Sequence, residues 1–482
     1  MEHDSAVPDV FPMPMEAGGT PDATDAAPEA AEAAAPPQPP AAYVTTDDLS
    51  QHLASTPVTL GAQGSADAMV TVDPTKMYQS IVGFGASITD SSSYVMTKYL
   101  SSTALTQLLT QLFDPSMGVG LSFLRQPMGA SDFSSVGDFS YDDGNSDPML
   151  ANFNVTQDAK ATIPVLQQVL KVNPNVFIMA TPWSPPGWMK ANGIMDGTGG
   201  GGSSSALNAD AYEPLAQYFV KFIQAYAKAG IPVGAVTPQN EPLNGSASYP
   251  GTDLDAQSEL NLVAQNMGPA FKSAGLTTKI WVYDHNWDHP EYPGQILSDA
   301  TAGGYSEGAA FHCYGGDVSA MTTFHSMYPQ KSIYMTECSG GGWQNDQFSD
   351  TFETILQSMA NWARAVSLWN MALDDQAGPQ NKGCNDCAAV VTVSQSGTVT
   401  YNADYYALGH FSKFVHPGAS RIDATSSSGS LNTVAFLNQD GSIAVVGHNT
   451  GGNAITMSVG TGSTAMSVQV PAAAAVTLVW TP

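Results

Sequence analysis

Two glutamates stand where a short apolar segment ends and a polar turn begins. They are Glu241 in GAVTPQNEP and Glu337 in KSIYMTECSGG. Burying a carboxylate at the end of a strand costs free energy, so a charge at this position suggests that the protein uses it. Two more strand-like segments lie between them, which predicts alternate strands of one barrel that converge on one site. A facing pair of carboxylates, one acid and one nucleophile, is suited to cleaving a glycosidic bond.

The two carboxylates need different protonation states for this chemistry. An oxocarbenium-like transition state requires a carboxylate below the anomeric carbon and a protonated carboxyl at the leaving oxygen. We assign Glu337 as the nucleophile and Glu241 as the acid/base. We expect the neighbouring negative charge and partial burial to raise the pKa of Glu241. Either glutamate alone is equally explained as a helix cap, but the pair on one predicted barrel favours catalysis.

Eight apolar segments recur along the middle of the chain. They are SIVGFGASI, VGLSFLRQPMG, NVFIMATPW, VGAVTPQN, KIWVYDHNW, GAAFHCYGG, KSIYMTEC and AVSLWNMAL. None alternates cleanly between apolar and polar residues, as is typical of parallel strands buried on both faces. Helix-length segments separate most of them, and the two clearest end at Gly230 and Gly275. This alternation predicts an α/β protein with a (β/α)₈ barrel.

The active site of such a barrel lies at the carboxyl ends of its strands. The residues at the predicted ends are Asp90, Arg125, Asp132, Trp183, Asn240, Glu241, Asp284, His285, Trp287, His312, Tyr314, Glu337, Trp369 and Asn370. We expect Arg125 and Tyr314 to hold Glu337 ionised and correctly aimed, and Asn240 to bond the sugar 2-hydroxyl. The tryptophans at the third and eighth ends offer flat faces on which sugar rings stack.

The ends of the chain have a different texture from the barrel segment. Residues 1–50, rich in Ala, Pro and acidic residues, predict a disordered tether. Residues 51–76 and 404–482 alternate apolar and polar residues with turn signals, which indicates antiparallel strands. We therefore expect residues 77–403 to form the catalytic barrel. The strands at 51–76 should join those at 404–482 in a fused small β-sandwich built from both chain ends.

The charge balance excludes several classes of partner. The chain has 43 Asp and Glu against 15 Lys and Arg, a formal charge of −28. Such a field repels nucleic acid and anionic membranes, and no apolar run is long enough to span a bilayer. The first residues lack the features of a signal peptide. The Ala/Pro-rich segment is nevertheless typical of tethers that follow an export signal or lipid anchor, so we expect a secreted, periplasmic or cell-surface protein of undetermined oligomeric state.

The cysteines and histidines raise the question of a metal. Cys384 and Cys387 in CNDC indicate either half of a zinc site or a tight local disulfide. Cys313 and Cys338 adjoin proposed site residues, and we interpret them as small buried thiols beneath the barrel mouth. The two histidines of DHNWDHP are compatible with a metal pair, but a solvated loop is favoured. We expect neither a metal nor an organic cofactor.

Nine segments between about residues 78 and 421 match one known family. They are GFGASITDS, FLRQPMGASDFS, TPWSPPGWMK, AVTPQNEP, DHNWD, AFHCYGG, MTECSGG, WNMALDDQAGP and YYALGHFSKFVHPGASRI. In these the chain resembles glycoside hydrolase family 30, which includes glucosylceramidases and endo-β-1,6-glucanases. The resemblance implies retention of configuration, a barrel with a fused β-sandwich, Glu241 as acid/base and Glu337 as nucleophile.

The resemblance also implies which side chains surround the sugar. They are Arg125, Asp132, Trp183, Asn240, Tyr314 and Trp369. Within this set it gives Asp132 the role of gripping sugar hydroxyls. With His312 and Asn370, which stand at predicted strand ends, these residues form our predicted substrate-binding set.

We expect a retaining β-glycosidase that acts on a β-glucoside or β-glucan. Our first choice is a glucosylceramidase-like β-glucosidase, and the alternative is an endo-β-1,6-glucanase acting on polysaccharide. The segments CNDCAAVVTV and DHNWDHP depart from the animal glucosylceramidases, which weakens the ceramide interpretation. A carbohydrate-binding protein that does not cleave is the alternative from another class, but it has no need of both glutamates.

Overall fold

The computed structural model describes residues 39–62, 66–199, 203–461 and 464–482. The strands are β1 (Ala41–Thr46), β2 (Ala54–Thr56), β3 (Thr59–Ala62), β4 (Ala68–Ser80), β5 (Gly83–Ser87), β6 (Phe123–Pro127), β7 (Phe177–Thr181), β8 (Ala235–Val236), β9 (Lys279–Asn286), β10 (Ser306–His312), β11 (Ser332–Glu337), β12 (Ala363–Leu368), β13 (Ala372–Leu373), β14 (Val391–Val393), β15 (Val399–Tyr401), β16 (Ser420–Ser426), β17 (Leu431–Leu437), β18 (Ile443–Asn449), β19 (Ile455–Thr461), β20 (Thr464–Val470) and β21 (Ala474–Trp480). The α-helices are α1 (Asp90–Tyr99), α2 (Ser102–Phe113), α3 (Thr162–Val172), α4 (Tyr212–Lys228), α5 (Ala256–Leu262), α6 (Gly268–Ser273), α7 (Glu291–Ser298), α8 (Ala302–Tyr305), α9 (Ser319–Met327), α10 (Gln347–Ala360) and α11 (Ala403–Ser412).

Strands β5 to β12 form a closed barrel with parallel pairing throughout. The barrel predicted from the eight apolar segments is therefore confirmed. Its interior is packed with side chains from successive strands, among them Phe123, Met179, Trp281 and Tyr334. The rings of Trp281 and Tyr334 stack with centroids 3.6 Å apart. Because side chains fill the interior, the barrel is closed beneath its mouth.

The two clearest predicted helices are present, and one is interrupted. Helix α4 ends just before Gly230, whose φ of 80° favours glycine. The second predicted helix comprises α5, a π-turn at Val263–Met267 and α6. Pro269 has no N–H to donate within this segment, which explains the wider turn. No helix among the described residues is long and apolar enough to cross a membrane.

The small β-domain is assembled from both chain ends, as predicted. Its ten strands hydrogen-bond in the order β2-β1-β21-β18-β17-β16-β4-β19-β20-β3, and they enclose a separate apolar core that includes Val70, Met457 and Val476. One expectation about the tether is wrong, because residues 41–46 form strand β1, which pairs with β21 along its whole length. Val44 is fully buried there, so the segment contributes apolar area to the domain core. Residues 1–38 of the predicted tether lie outside the described residues.

Helix α11 joins the barrel to the β-domain. Its His410 bonds the hydroxyl of Thr477 through Nδ1 and that of Thr45 through Nε2, both at 2.8 Å. Burial lowers the pKa of His410 to about 3, so the imidazole is neutral and its two nitrogens can serve as one donor and one acceptor. On the barrel side, the ring of Phe411 lies 5.4 Å from that of Phe84 on β5.

A buried carboxyl group that does not line the cavity at the barrel mouth gives a prediction about stability. Asp158 accepts hydrogen bonds from the hydroxyls of Tyr141 at 2.6 Å and Tyr226 at 2.7 Å. Burial nevertheless raises the pKa of Asp158 to about 7, against 3.8 ordinarily. The folded protein thus keeps a proton that the unfolded chain releases, so this contribution to stability falls as pH rises from about 4 and is lost above about 7.

We expect Asp158→Asn to remove up to about 4 kcal/mol from the pH dependence of the unfolding free energy between pH 4 and 8. Urea unfolding curves of both proteins at several pH values measure this difference. Parallel pH profiles for the wild type and the variant would contradict it.

Candidate active site

The two glutamates meet at the mouth of the barrel. Glu241 follows β8 and Glu337 ends β11. These are the fourth and seventh barrel strands, with β9 and β10 between them, so the prediction of alternate strands is wrong. The side chains still converge because all eight carboxyl ends open to one mouth. A carboxylate oxygen of each lies within 4.8 Å of the other, a spacing close to that of retaining glycosidases.

Both oxygens of Glu337 are held by neighbouring donors. Arg125 Nη1 donates to Oε2 at 2.5 Å, and the Tyr314 hydroxyl donates to Oε1 at 2.9 Å. The second guanidinium nitrogen of Arg125 donates to Asn240 Oδ1 at 2.7 Å. Arg125 is 0% exposed, so its charge acts on Glu337 with little screening by solvent. These contacts fix the direction of the Glu337 carboxylate.

Asp284 organises the positive charges beneath the site. Its Oδ2 accepts from Arg125 Nη2 at 2.8 Å and from the Thr237 hydroxyl at 2.7 Å. Its Oδ1 accepts from His312 Nε2 at 3.0 Å and from the Thr336 hydroxyl at 2.6 Å. Although burial opposes it, the charges of Arg125 and His312 hold the pKa of Asp284 well below its ordinary value. An ionised carboxylate only accepts, so the Nε2 of His312 carries a proton.

The other nitrogen of His312 faces the predicted acid/base. His312 Nδ1 lies 3.1 Å from Glu241 Oε1. Burial lowers the pKa of His312, but the charges of Glu337 and Asp284 outweigh it and raise the pKa to about 9. For Glu241 burial acts in the direction of a higher pKa, but the hydrogen bond and charge of His312 outweigh burial and lower the pKa to about 2. The expectation of a raised Glu241 pKa is therefore wrong, because the adjacent imidazolium outweighs burial and the negative charge of Glu337.

For Glu337, the candidate nucleophile, burial outweighs the nearby positive charges. Burial raises the pKa of Glu337 in spite of the opposing charges of His312 and Arg125, and the charge of Glu241 adds to the rise. Three carboxylates thus share two cations at the barrel mouth. One proton lies between His312 Nδ1 and Glu241 Oε1, in the hydrogen bond that joins them.

A cavity of about 790 Å³ opens above these groups. Trp183 and Trp369 line it with their rings stacked, centroids 4.9 Å apart, and the Arg125 guanidinium lies 4.8 Å from the centroid of Trp183. Asp132 also lines it, and its buried Oδ1 has no hydrogen-bond partner among the described residues. Burial and the charges of the two glutamates raise the pKa of Asp132 well above its ordinary value. This carboxyl group is open to a hydroxyl of a ligand.

Not all the residues predicted to bind substrate reach the cavity. Those that line it, besides the two glutamates, are Asp132, Trp183, Asn240, Tyr314 and Trp369. Arg125, His312 and Asn370 are fully buried beneath it, so direct contact of these three with a sugar is not what the geometry provides. Asn370 Oδ1 instead accepts from the Thr89 hydroxyl at 3.2 Å. Their position at strand ends was readable from the sequence, but the direction and depth of each side chain were not.

Sequence reasoning missed most of the cavity rim. Besides His285, which the sequence places at a predicted strand end, the remaining lining residues are Leu243, Asn244, Ser246, Ser248, Tyr249, Asn286, Ser339, Trp343, Lys382, Gly383, Cys384 and Cys387. Most lie on loops, where no hydrophobic period marks a position as inward-facing. Asn244 donates to Glu241 Oε2 at 2.8 Å, and its place three residues after Glu241 was the one available signal.

The four cysteines form two disulfides. Cys384 pairs with Cys387, with Cα atoms 5.6 Å apart, which decides the CNDC alternatives in favour of the local disulfide. Cys313 pairs with Cys338 across neighbouring strand ends, with Cα atoms 5.3 Å apart. The interpretation of the latter pair as buried thiols is therefore wrong, because β10 and β11 bring their backbones to bonding distance.

The two histidines of DHNWDHP do not share a site. His285 is buried at the cavity, and burial lowers its pKa to about 4. His289 is exposed and bonds Glu291 at 2.9 Å. Among the described residues, the group close enough to share a metal ion is Glu241, His312 and Glu337. Both His312 nitrogens already form hydrogen bonds to carboxylates. Neither nitrogen therefore has a free lone pair to offer a metal ion.

Comparison with known proteins agrees with this arrangement. The sequence matches the TIM-barrel domain of glycosyl hydrolase family 30 over residues 81–415 and the family's β-sandwich domain over residues 418–478. The chain belongs to glycosyl hydrolase family 30. As a family 30 protein it is a retaining O-glycosyl hydrolase, and the resemblance seen in the sequence is confirmed.

Relatives of this family 30 enzyme include proteins named endo-1,6-β-D-glucanase and proteins named glucosylceramidase. It is 38% identical over 428 residues to the endo-1,6-β-D-glucanase BGN16.3 of Trichoderma harzianum, covering 84% of each chain. It is 31% identical to the lysosomal acid glucosylceramidase of Mus musculus, covering 78% of this chain and 76% of that one. A solved endo-β1,6-glucanase superposes with a TM-score of 0.85 at 32% identity, covering 92% of this chain and 99% of that one.

Proposed function

We propose that this family 30 enzyme is an endo-β-1,6-glucanase in which Glu337 is the nucleophile and Glu241 the acid/base. The observation that carries the proposal is the chemistry of the cavity rim. Side chains that form hydrogen bonds recur around it, between the apolar ones: Asn244, Ser246, Ser248, Asn286 and Ser339. Such a rim suits a leaving group that is itself a sugar.

A lipid leaving group fits this cavity less well. Hydrocarbon chains bind contiguous apolar surface. The large apolar side chains that line the cavity and are exposed are Leu243 (38%), Tyr314 (45%) and Trp343 (53%), and Tyr314 is also committed to Glu337 through its hydroxyl. The volume of about 790 Å³ lies in the upper part of the range for ligand pockets and exceeds the need of one sugar ring.

The relatives support the same choice. The fungal endo-1,6-β-D-glucanase is 38% identical to this chain, and the glucosylceramidase 31%. The alternative of our sequence analysis, the endo-glucanase, is therefore preferred to its first choice, the glucosylceramidase-like β-glucosidase.

The proposed reaction is a double displacement. Glu337 attacks the anomeric carbon while Glu241 delivers a proton to the leaving oxygen, which gives a covalent glycosyl-enzyme. Water then attacks this intermediate, Glu241 takes its proton, and Glu337 leaves. Asn240, whose Oδ1 is occupied by Arg125, has its amide nitrogen left to donate to the sugar 2-hydroxyl. The unpartnered Asp132 oxygen accepts from another hydroxyl.

The proton that Glu241 delivers is held by its partner histidine. His312 carries it 3.1 Å from Glu241. Once the leaving group has taken it, the neutral Nδ1 lone pair faces the Glu241 carboxylate. This lone pair favours return of a proton from the attacking water. Esterification of Glu337 removes one of the charges that raise the pKa of His312, which favours release of the proton in the first step.

Product release from three substrates tests the proposal. Wild type is incubated with β-1,6-glucan, with glucosylceramide and with β-glucosyl fluoride. We expect rapid formation of gluco-oligosaccharides from the glucan and little release from the lipid. Preferential cleavage of glucosylceramide would restore the glucosylceramidase-like alternative. Turnover of the fluoride alone would leave the retaining mechanism standing and overturn the polymer assignment.

Trp343 provides a matched test of the polymer assignment. Its indole packs on the backbone of Gly341, where an added Cβ would overlap the ring, and it is 53% exposed at the cavity. We infer that it stacks on a second sugar ring. Trp343→Ala should lower kcat/KM on β-1,6-gluco-oligosaccharides about 2- to 10-fold, because stacking of this kind contributes roughly 0.5–1.5 kcal/mol.

The same variant should cleave β-glucosyl fluoride nearly as well as wild type, since that leaving group has no ring to stack. Trp343→Phe, which keeps an aromatic face, should recover most of the oligosaccharide activity. An equal loss on both substrates would remove Trp343 from the proposed subsite.

The proposed location is outside the cytoplasm, at the cell surface or beyond it. The two disulfides support this, because structural disulfides persist mainly in oxidising compartments. Cell fractionation followed by assay of glucanase activity tests it, and activity confined to the cytoplasm would contradict it.

A further inference from the structure

We propose that the Cys313–Cys338 disulfide is a covalent positioning element for the catalytic carboxylates. This inference rests on the proposed roles of Glu241 and Glu337. Cys338 directly follows Glu337 in the sequence, and Cys313 stands between His312 and Tyr314. The bond therefore connects the two backbone segments that carry the nucleophile and its neighbours.

The disulfide lies where the hydrogen-bonded ladder between these strands ends. Strands β10 and β11 are paired as far as His312 and Glu337, with a shift of register between Phe311 and His312. The irregularity already weakens the last pairing. The residues that follow this pair are the two cysteines.

Beyond that point the two segments turn towards opposite neighbours. The backbone N–H of Tyr314 donates to Asn286 Oδ1 at 3.1 Å, on the side of β9. The carbonyl of Cys338 accepts from the backbone N–H of Trp369 at 2.7 Å, on the side of β12. Each of these bonds ties its segment to the neighbour on its outer side, and the disulfide joins the two segments to each other at a Cα separation of 5.3 Å.

One contact of the site spans the gap between these segments, and a second starts from one of the two joined segments. The Tyr314 hydroxyl bonds Glu337 Oε1 at 2.9 Å across it. His312 bonds Glu241 at 3.1 Å from the same segment as Cys313. If the segments separate, Glu337 loses a donor to its ionised form and the two carboxylates lose their mutual spacing. A displacement of about 1 Å at a reacting group can cost roughly 100-fold in rate.

The second disulfide makes a selective test possible. The chain has four cysteines, so in the Cys384→Ala/Cys387→Ala background the Cys313–Cys338 bond alone remains. Dithiothreitol then closes to its cyclic disulfide and passes two electrons and two protons to this one pair. We expect reduction to lower kcat for β-glucosyl fluoride about 10- to 100-fold with KM within about 3-fold, and reoxidation to restore it.

The pH profile separates positioning from a general loss of structure. Without the Tyr314 donor the pKa of Glu337 rises, so the acidic limb of kcat should move to higher pH on reduction. The variant Cys313→Ala/Cys338→Ala keeps the Cys384–Cys387 disulfide. It should show the same loss of kcat and the same shift of the acidic limb to higher pH. Cys384→Ala/Cys387→Ala itself removes part of the cavity wall and should act mainly on KM for oligosaccharides.

If reduction changes neither kcat nor the acidic limb of its pH profile, the proposal is overturned. A loss of activity that tracks thermal unfolding and not the redox state would overturn it as well. Glu337→Gln in the oxidised protein provides the separate check on the roles themselves. If that variant retains turnover, the assignment of the nucleophile fails, whatever the disulfide does.

Discussion

Glu337→Gln should lower kcat on β-1,6-glucan by roughly 10⁴- to 10⁶-fold while substrate binding stays within a few-fold of wild type. The amide cannot attack the anomeric carbon, yet it nearly preserves the shape of the side chain. The hydrogen bond from Arg125 at 2.5 Å keeps an oxygen acceptor. Initial rates of reducing-sugar release, together with calorimetric binding of a gluco-oligosaccharide, measure the two quantities.

Glu241→Gln is the matched variant because it removes the acid/base and keeps the nucleophile. It should lose about 10²- to 10⁴-fold on the glucan. Release of fluoride from β-glucosyl fluoride needs no proton, so a burst of fluoride should persist before slow hydrolysis of the intermediate. Added azide should speed turnover and give a β-glycosyl azide. A reversed pattern between the two variants would exchange the assigned roles.

The same pair of variants distinguishes catalysis from carbohydrate binding alone. A carbohydrate-binding protein would bind the oligosaccharide in all three forms and show no turnover in the wild type. Measurable wild-type turnover that both substitutions abolish excludes it.

Asp284→Asn should combine a large loss of activity with a large loss of stability. The carboxylate is the shared counter-ion of Arg125 and His312, and all three side chains are fully buried. Removing one partner from a buried charge network costs about 3–5 kcal/mol. We expect kcat to fall roughly 10²- to 10³-fold, because Arg125 and His312 lose the orientation that serves Glu337 and Glu241.

The pH dependence of Asp284→Asn should identify the role of His312. In wild type the imidazolium, with a pKa of about 9, stabilises the fold fully below about pH 6.5. This contribution is lost as pH rises through about 9. Without the Asp284 charge the His312 pKa falls, so the basic limb of kcat/KM should move down by about one pH unit or more. An unmoved basic limb would show that His312 does not hold the catalytic proton.

Asp158→Asn is the control for this substitution. Asp158 is likewise a buried carboxyl group with two hydroxyl donors, but it contacts no residue of the barrel mouth in these bonds. It should change the pH dependence of stability and leave kcat within about 2-fold of wild type. Comparable kcat losses in both variants would mean that Asp284 acts through stability alone.

The barrel and its two glutamates were predictable because their signals are local. A parallel strand buried on both faces shows as a short apolar run, and eight such runs separated by helical segments leave few other folds. Glu241 and Glu337 stand out because each follows such a run directly. The pairing of the chain ends was similarly visible, since alternating segments at 51–76 and 404–482 share one pattern. Strand β1 was missed because the Ala- and Pro-rich composition before it continues into its first residues.

Tertiary structure decided what depends on residues far apart in the chain. The depth of Arg125, His312 and Asn370 beneath the cavity follows from how the strands tilt and pack, and one sequence carries no trace of it. The Cys313–Cys338 pairing depends on two strand ends coming within bonding distance. The protonation of Glu241 shows the same dependence most clearly. Partial burial and the negative charge of Glu337 predicted a raised pKa, but a histidine 71 residues away in the chain and 3.1 Å distant in space reverses the direction. Electrostatic energy depends on distance and burial, which only the folded chain defines.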